Sequence, residues 1–293
     1  MKKKSLDKIV FNIIGYTFMT ILTLLCVSVF VMLVSGSFTS ESYIVNKGYS
    51  IIPHELSLGA YKTIFANPKG IFSSYGVTIF TTVVGTFCSL FMQTMTAYVL
   101  SRKDFEWRNK IAFYFYFTTL FTGGLTAGYI WNITIGMRNN ICALIVPGFM
   151  NVFNMFIIRN CMSAIPYEVT ESAKIDGASD FKIYLSIILP MSTAALATVG
   201  LFTALAYWNA WMNSMLYMDN PYRQSLQYYL YKMLNSAEAM RELGQSGSSH
   251  TLDIPMESTK LAMTVVAAGP MLLLYPFVQR FFVQGITVGA VKG

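Results

Sequence analysis

Residues 171–190 read ESAKIDGASDFKIYLSIILP and lie between two of the most apolar parts of the chain. This stretch carries five charged side chains, whereas the flanking runs 140–158 and 191–216 contain no Asp, Glu, Lys or Arg. One charged residue at the centre of a membrane helix costs about 2.5–3.5 kcal/mol on insertion scales. The sequence therefore places a charged connector between two segments with the composition of membrane spans.

The same depletion of charge extends over the whole chain. Of the 293 residues, 54% are hydrophobic and 12% are charged, about half the charged fraction of a soluble domain. An uncharged run of about 18 residues or more can cross a bilayer as a helix. We predict an all-α integral membrane protein with one transmembrane domain, residues 1–293. Its six predicted spans are 11–34, 73–100, 111–131, 140–158, 191–216 and 261–279.

The distribution of basic residues predicts how the spans are oriented. Lys and Arg are more than twice as dense in one alternating set of loops, which indicates the cytoplasmic side. That set is 1–10, 101–110, 159–190 and 280–293, and the outer set is 35–72, 132–139 and 217–260. Both termini are then cytoplasmic. The first apolar run is longer than the 7–15 residues of a signal-peptide core, so we interpret it as an uncleaved span.

Composition and motifs argue against several other classes of protein. The net charge of +7 could indicate nucleic-acid binding, but membrane orientation accounts for it, so no nucleic acid is expected. The four Cys residues are scattered and both His residues fall in outer loops, so the sequence predicts no metal site. We find no nucleophile with a base and no phosphate-binding glycine loop. The chain is thus predicted to be neither an enzyme nor a cofactor-binding protein.

The connector is predicted to form two short helices separated by a turn. Pro166 suits the first turn of a helix, and Gly177 suits the left-handed residue that ends one. Ser179 or Asp180 can cap a second helix. Within that helix, Phe181, Tyr184, Leu185 and Ile188 form an amphipathic stripe.

The spacing of the connector resembles the EAA motif of ATP-binding-cassette importer permeases. That motif has Glu-Ala-Ala, three residues, Gly, nine residues and then Ile-x-Leu-Pro. Here 171–173 read ESA, position 177 is Gly and 187–190 read IILP, at the same intervals. Ser172 is the one departure. The ending GITVGAVKG is similar to the tail of the MalG-type subunits of sugar importers. The stretches SLQYYLYKMLN and GPMLLLYPFVQRFFVQGITVGAVKG resemble their LplC/YtcP-like branch, which is associated with oligosaccharide or polysaccharide uptake.

The resemblance implies the type I importer permease fold and a coupling role for the loop 165–190. Glu171 would anchor the loop to a cytoplasmic ATPase, Ser172 and Ala173 would form the close-contact face, and Gly177 would make the turn. The full set implied to couple to the ATPase is Glu171, Ser172, Ala173, Asp176, Gly177, Ile187, Leu189 and Pro190. The cytoplasmic tail 284–293 would contact the ATPase through Gly289, Ala290, Val291, Lys292 and Gly293.

The resemblance also implies partners in the bacterial cytoplasmic membrane and on both sides of it. They are a second permease subunit of the MalF/LplB type, an ATPase dimer that binds ATP and Mg, an extracellular solute-binding protein or lipoprotein, and membrane lipid. The transported solute would be a sugar, with an oligosaccharide favoured. A non-sugar solute stays an alternative, as does a secondary transporter, although no intramembrane carboxylate favours the latter.

Two further regions allow two interpretations each. The fifth predicted span carries polar and aromatic side chains that could join helices or line a pathway: Tyr207, Trp208, Asn209, Trp211 and Asn213. In the outer loop 217–260, Leu226, Leu230, Met233 and Leu234 predict an amphipathic helix. That helix either covers the outer end of the bundle or offers a docking surface to an external partner.

Overall fold

The computed structural model describes residues 6–246 and 255–290, with side chains described at 7–239 and 255–273. Over these residues the chain is helical, apart from loops and one isolated antiparallel bridge between Thr39 and Leu56. A π-helical turn, Tyr184–Ile188, separates α10 from α11. In chain order the helices are α1 (Leu6–Ser37), α2 (Glu41–Lys47), α3 (Gly59–Ile64), α4 (Pro68–Ser101), α5 (Arg108–Leu120), α6 (Gly124–Thr134), α7 (Cys142–Ile145), α8 (Val152–Ser163), α9 (Tyr167–Ile175), α10 (Asp180–Ile183), α11 (Leu189–Met191), α12 (Thr193–Trp208), α13 (Met212–Tyr217), α14 (Leu226–Ser246) and α15 (Met256–Ala290).

Contacts group the chain into two compact units. One unit is drawn from Met1–Pro68 and Leu230–Gly269, and the other from Lys69–Tyr229 and Pro270–Gly293. The second unit contains the charged connector. Its main core cluster joins side chains of α4, α8, α9, α12 and the segment 180–189, with Met155, Ile158 and Ile183 fully buried.

In the first unit, the predicted outer loop 35–72 is hydrogen-bonded to the start of α15. The carboxylate of Glu41 in α2 accepts the backbone N–H groups of Glu257 and Ser258 at 2.8 and 2.9 Å, and the Ser258 hydroxyl at 2.9 Å. These N–H groups have no partner within the helix, and a carboxylate is favoured at a helix N-terminus. Glu41 therefore caps α15 from a distant part of the chain.

Helix α1 has the surface of a segment that lies in lipid or against another protein. Its candidate span, Asp7–Ser37, has no buried residue in its most apolar window. Phe11, for example, is 77% exposed. A helix that is apolar on all sides is not stable in water. This observation supports the prediction of an integral membrane protein.

The described helices reproduce part of the predicted set of spans. Two of them, Asp7–Ser37 and Pro68–Ser101, are long and apolar enough to cross a membrane. Two bent pairs would raise that number to four if each forms one span: Cys142–Gly148 with Val152–Ser163, at 48°, and Asp180–Met191 with Thr193–Trp208, at 83°. The six-span arrangement itself stays a prediction.

The remaining predicted runs differ from simple spans. The run 111–131 is divided between α5 and α6, because Gly124 adopts a φ of +77° at the break. The run 191–216 is divided between α12 and α13. The last run, 261–279, lies within α15 but extends past the described side chains. In α14, Leu226 and Leu230 are buried, and Met233 and Leu234 are partly buried, so the predicted amphipathic face is confirmed.

Candidate functional site: the connector and an adjacent cavity

The first helix of the connector, α9, ends in a Schellman turn. Gly177 has a φ of +78°, a conformation that glycine adopts without a steric penalty. Its N–H donates to the carbonyl of Lys174 at 3.0 Å, and the N–H of Ala178 donates to the carbonyl of Ala173 at 3.0 Å. These two bonds satisfy carbonyls that the helix end leaves open. The turn predicted at Gly177 is confirmed, and Pro166 lies one residue before the helix, at the N-cap position.

The two faces of α9 have different environments. Thr170 and Ala173 are buried, and Ala173 is 7% exposed within the core cluster of the second unit. Glu168, Glu171, Ser172 and Ile175 are exposed. Ala173 was expected on the contact face with Ser172, but its methyl group packs inside this chain, in the core cluster.

The exposed face of α9 includes an apolar side chain that the motif does not specify. Ile175 is 85% exposed at the last position of the helix. It lies outside every predicted span, so lipid is not expected to cover it. Together, Glu171, Ser172 and Ile175 give the connector an exposed surface with one charged, one polar and one apolar side chain.

The second half of the connector buries a different stripe from the one predicted. Ile183, Tyr184 and Ile188 are buried, whereas Phe181 and Leu185 are 54% and 45% exposed. Apolar residues occur on every side of this segment, so periodicity alone could not select the buried face. Ser179 occupies the N-cap position with extended backbone, but its side chain makes no capping bond. Ile187 and Leu189 are partly buried against the core cluster, and Pro190 is exposed just before the 83° bend.

An ion-pair network joins the connector to the loop that follows α4. The guanidinium of Arg102 donates through Nε to Asp104 Oδ1 at 2.9 Å, and its Nη1 lies 2.7 Å from Asp180 Oδ2. Lys174 Nζ in α9 lies 2.8 Å from Asp104 Oδ2. Hydrogen bonds from Arg102 and Lys174 lower the pKa of Asp104 below its usual range. The bond to Asp104 raises the pKa of Lys174.

A cavity of about 220 Å³ lies where the fourth predicted span is interrupted. The interruption contains Pro147 and Gly148, and α8 restarts at Val152. All eleven residues that line the cavity are uncharged. They are Leu144, Pro147, Gly148, Met150, Asn151, Asn154, Thr203, Ala206, Tyr207, Ala210 and Asn213.

Side chains from two neighbouring helices hold this interruption in place. Tyr207 of α12 donates its hydroxyl to the carbonyl of Ile145 at 2.8 Å. Ser89 of α4 donates to the carbonyl of Phe149 at 2.9 Å, and Gln93 Nε2 donates to the same carbonyl at 3.2 Å. A broken helix within a membrane requires such partners for its freed carbonyl groups.

The polar lining of the cavity has spare hydrogen-bonding capacity. Asn154 Nδ2 donates to Thr203 Oγ1 at 3.4 Å, a long bond, although Asn154 is buried. Asn151 Oδ1 accepts the N–H of Asn154 at 3.0 Å and so caps α8. Sequence reasoning missed Asn151, Asn154 and Thr203. The signal was the Pro147-Gly148 pair followed by two asparagines inside an apolar run.

The five residues considered for a pathway do not lie together. Tyr207 and Asn213 line the cavity. Trp208 is buried and Trp211 partly buried, and neither lines the cavity. Asn209 is exposed, and its Nδ2 donates to the carbonyl of Leu205 at 2.9 Å. The tail contact predicted at 289–293 falls where side chains are not described, and 291–293 lie outside the described residues altogether.

Among the relatives found by comparison with known proteins, two are more than 30% identical over nearly the whole chain. The polygalacturonan/rhamnogalacturonan transport system permease protein YtcP of Bacillus subtilis (strain 168) is 37% identical over 284 residues, which are 97% of this chain and 98% of that protein. The protein LplC of the same strain is 34% identical over 284 residues, 97% of this chain and 95% of that protein. No protein-family model matches the chain.

A solved structure agrees with these relatives. It is a crystal structure of a bacterial ABC transporter involved in the import of the acidic polysaccharide alginate. One of its chains matches with a TM-score of 0.79 and 26% identity, covering 96% of this chain and 100% of that one. The resemblance found in the EAA-like connector thus extends to sequence and fold over almost the full length. The chain belongs to the family of ATP-binding-cassette sugar-importer permeases.

Proposed function

We propose that this chain is one of two membrane subunits of a binding-protein-dependent importer and carries an oligosaccharide across the bacterial cytoplasmic membrane. It crosses the membrane six times with both termini in the cytoplasm, and it alternates between outward-facing and inward-facing states. ATP hydrolysis with Mg on a separate ATPase dimer drives the change. A MalF/LplB-type permease completes the pathway, and an extracellular solute-binding protein or lipoprotein delivers the solute.

The observation that carries this proposal is the outward face of α9. Glu171, Ser172 and Ile175 are exposed, whereas Thr170 is buried and Ala173 packs in the core cluster. Because one face of α9 packs on its own subunit, the opposite, exposed face can bind a protein partner without displacing the helix. Glu171 and Ile175 offer that partner one charged and one apolar contact.

An oligosaccharide is the proposed solute for two reasons. YtcP, at 37% identity, is named for a polygalacturonan/rhamnogalacturonan system. The cavity presents amide and hydroxyl groups and no charge, a lining that suits the many hydroxyl groups of a sugar unit. We assign Asn154, Asn151 and Asn213 as candidates for direct sugar contact. The alternatives are an importer permease for a non-sugar solute or a secondary transporter.

A coupling assay tests the proposal. The chain is produced with its sister permease and ATPase, purified, and assayed for ATP hydrolysis with and without solute-loaded binding protein. Glu171→Lys is expected to reduce copurification of the ATPase. Glu106→Lys, the same change at an exposed residue of the preceding cytoplasmic loop, should leave copurification unchanged.

Three outcomes would contradict the proposal. Full copurification of the Glu171→Lys variant would refute the docking role of α9. Uptake that continues without any ATPase would favour a secondary transporter. Transport of a peptide, with no response to oligosaccharides that contain galacturonate or rhamnose, would refute the sugar assignment.

A further inference from the structure

Two side chains of α4 and that of Arg102, the residue that follows it, form a row that faces the connector. Thr94, Tyr98 and Arg102 are spaced four residues apart, so they lie on one face of the helix and its last turn. Thr94 Oγ1 is 2.7 Å from the Tyr184 hydroxyl, and the Tyr98 hydroxyl is 3.4 Å from the carbonyl of Asp180. The Tyr98 and Tyr184 rings are 5.3 Å apart. The connector is therefore in contact with α4 along about two turns.

Arg102 is the charged residue of this row. Its guanidinium contacts two carboxylates, Asp104 just beyond α4 and Asp180 at the start of α10. Asp104 in turn binds Lys174 in the last turn of α9. Arg102 and Asp104 thus link the end of α4 to both helices on either side of the Gly177 turn.

This network differs from an ordinary surface ion pair. Isolated exposed pairs contribute little, because water screens them and their long side chains lose freedom. Here Arg102 is held by two carboxylates and lies 5.9 Å from the centre of the Tyr98 ring, with its side chain 20% exposed. A planar guanidinium with two bonds to one carboxylate also fixes direction. The network is suited to holding α9 in one orientation.

We propose that Arg102 and Asp104 are positioning residues of the transport cycle, which hold α9 against the end of α4 so that a displacement of α9 moves α4 together with α12. This inference rests on the proposed coupling role of α9. Without the network, α9 would stay connected to the membrane through the segment 180–191 and α12. An ATPase could then still dock on α9, but its movement would reach α4 less completely.

The test separates docking from transmission. Asp104→Lys faces Lys174 and Arg102 with a like charge, and Asp104→Asn removes the charge without adding one. In the assembled complex, both variants should retain ATPase copurification and basal hydrolysis. Stimulation of hydrolysis by solute-loaded binding protein, and sugar uptake per ATP, should fall about fivefold or more for Asp104→Lys, a coupling effect of usual size.

A charge swap and a matched control make the result specific. The double variant Asp104→Lys, Lys174→Asp restores one opposite-charge pair and should recover more than half of the lost stimulation. Asp219→Lys and Asp219→Asn break a similar pair, in which Arg138 Nε lies 2.9 Å from Asp219 Oδ2 in the predicted outer loops. These two control variants should leave stimulation unchanged.

The possible results distinguish the positioning role from a role in docking and from no role at all. Full stimulation in the Asp104→Lys variant, or a double variant no better than the single one, would overturn the positioning role. Loss of ATPase copurification in Asp104→Lys but not in Glu171→Lys would show that the network acts in docking instead. If the unaltered complex does not bind an ATPase, the proposed function fails, and the positioning role fails with it.

Discussion

Ala173 and Ala178 lie on either side of the glycine turn, and the N–H of Ala178 donates to the carbonyl of Ala173 at 3.0 Å. Both side chains pack in or against the core cluster, where Ala173 is buried. A hydrophobic contact of this kind commonly accompanies a Schellman turn. The small residue of the motif at position 173 and its glycine at 177 therefore serve one local structure, which fixes where α9 ends.

The first prediction concerns the turn itself. Gly177→Ala places a Cβ at a φ of +78°, a left-handed conformation that costs an L-residue about 1–2 kcal/mol. We expect a lower unfolding temperature and weaker copurification of the ATPase. Thermal unfolding in detergent measures the first effect. Gly76→Ala in α4 is the control, since its Cβ would meet nothing within 4 Å, and it should be neutral or slightly stabilising. Equal behaviour of the two variants would contradict this account of the turn.

The second prediction concerns Ile175. Ile175→Asp removes an apolar side chain that is 85% exposed in the isolated chain. Burying such a side chain in a partner contributes about 2 kcal/mol, so ATPase affinity should fall at least about tenfold. Titration of the purified permease pair with ATPase measures the change. Val45→Asp, at an exposed residue of α2 in the predicted outer loop, should have no effect. Unchanged affinity for Ile175→Asp would place the docking surface elsewhere.

The third prediction concerns the helix interruption beside the cavity. A Cβ at Gly148 would lie 2.7 Å from the Tyr207 hydroxyl oxygen, which itself donates to the carbonyl of Ile145. We expect Gly148→Ala to displace Tyr207, to destabilise the protein by about 1–3 kcal/mol, and to reduce sugar uptake. Gly128→Ala in α6, where a Cβ would meet nothing within 4 Å, provides the comparison. Normal uptake and stability in the Gly148 variant would show that Tyr207 can move freely.

The fourth prediction concerns pH. The pKa of Asp104 is lowered by its bonds to Arg102 and Lys174, so its stabilising contribution is present above the ordinary value of about 4 and is lost only as pH falls through the lower folded value. The pKa of Lys174 is raised by Asp104. The stabilising contribution of Lys174 is therefore fully present below the ordinary value of about 10.4 and is lost only as pH rises through the higher folded value.

The difference in unfolding temperature between the unaltered protein and Asp104→Asn should therefore be constant from about pH 5 to about pH 9. A series of melting curves in detergent over that range checks it. A difference that changes with a midpoint near neutrality would show that another group controls this network.

Sequence patterns predicted the connector better than they predicted the spans. Positions 177 and 190 require backbone conformations that Gly and Pro favour. The spacing of these two residues therefore predicted the turn and the approach to α12. The inward position of Ala173 was not predictable, because a short helix with small residues on several sides does not show which face is buried. The breaks near Gly124 and Gly148 were also missed, since hydropathy averages over a run and ignores the backbone.

The cavity could not be assembled from sequence for a related reason. Asn154 and Thr203 are 49 residues apart in the chain and meet only because α8 and α12 pack together. Tyr207 and Asn213 were noticed as polar residues in an apolar segment. Their neighbours Trp208 and Asn209 share that property but do not line the cavity, and only the packed helices distinguish the two pairs.

The 83° bend at Ser192 sets the segment Asp180–Met191 nearly perpendicular to α12. If α12 stands along the membrane normal, Asp180–Met191 extends almost parallel to the bilayer plane, as an arm about 18 Å long. The end of this arm that lies away from α12 is Asp180, which follows the α9 turn and contacts Arg102. A push of about 3 Å on that end, along the normal, tilts a rigid arm by about 10°. If, as proposed, the connector lies in the cytoplasm and the bend stays rigid, a small displacement of this arm becomes an angular movement of α12, whose Thr203 and Tyr207 line the cavity.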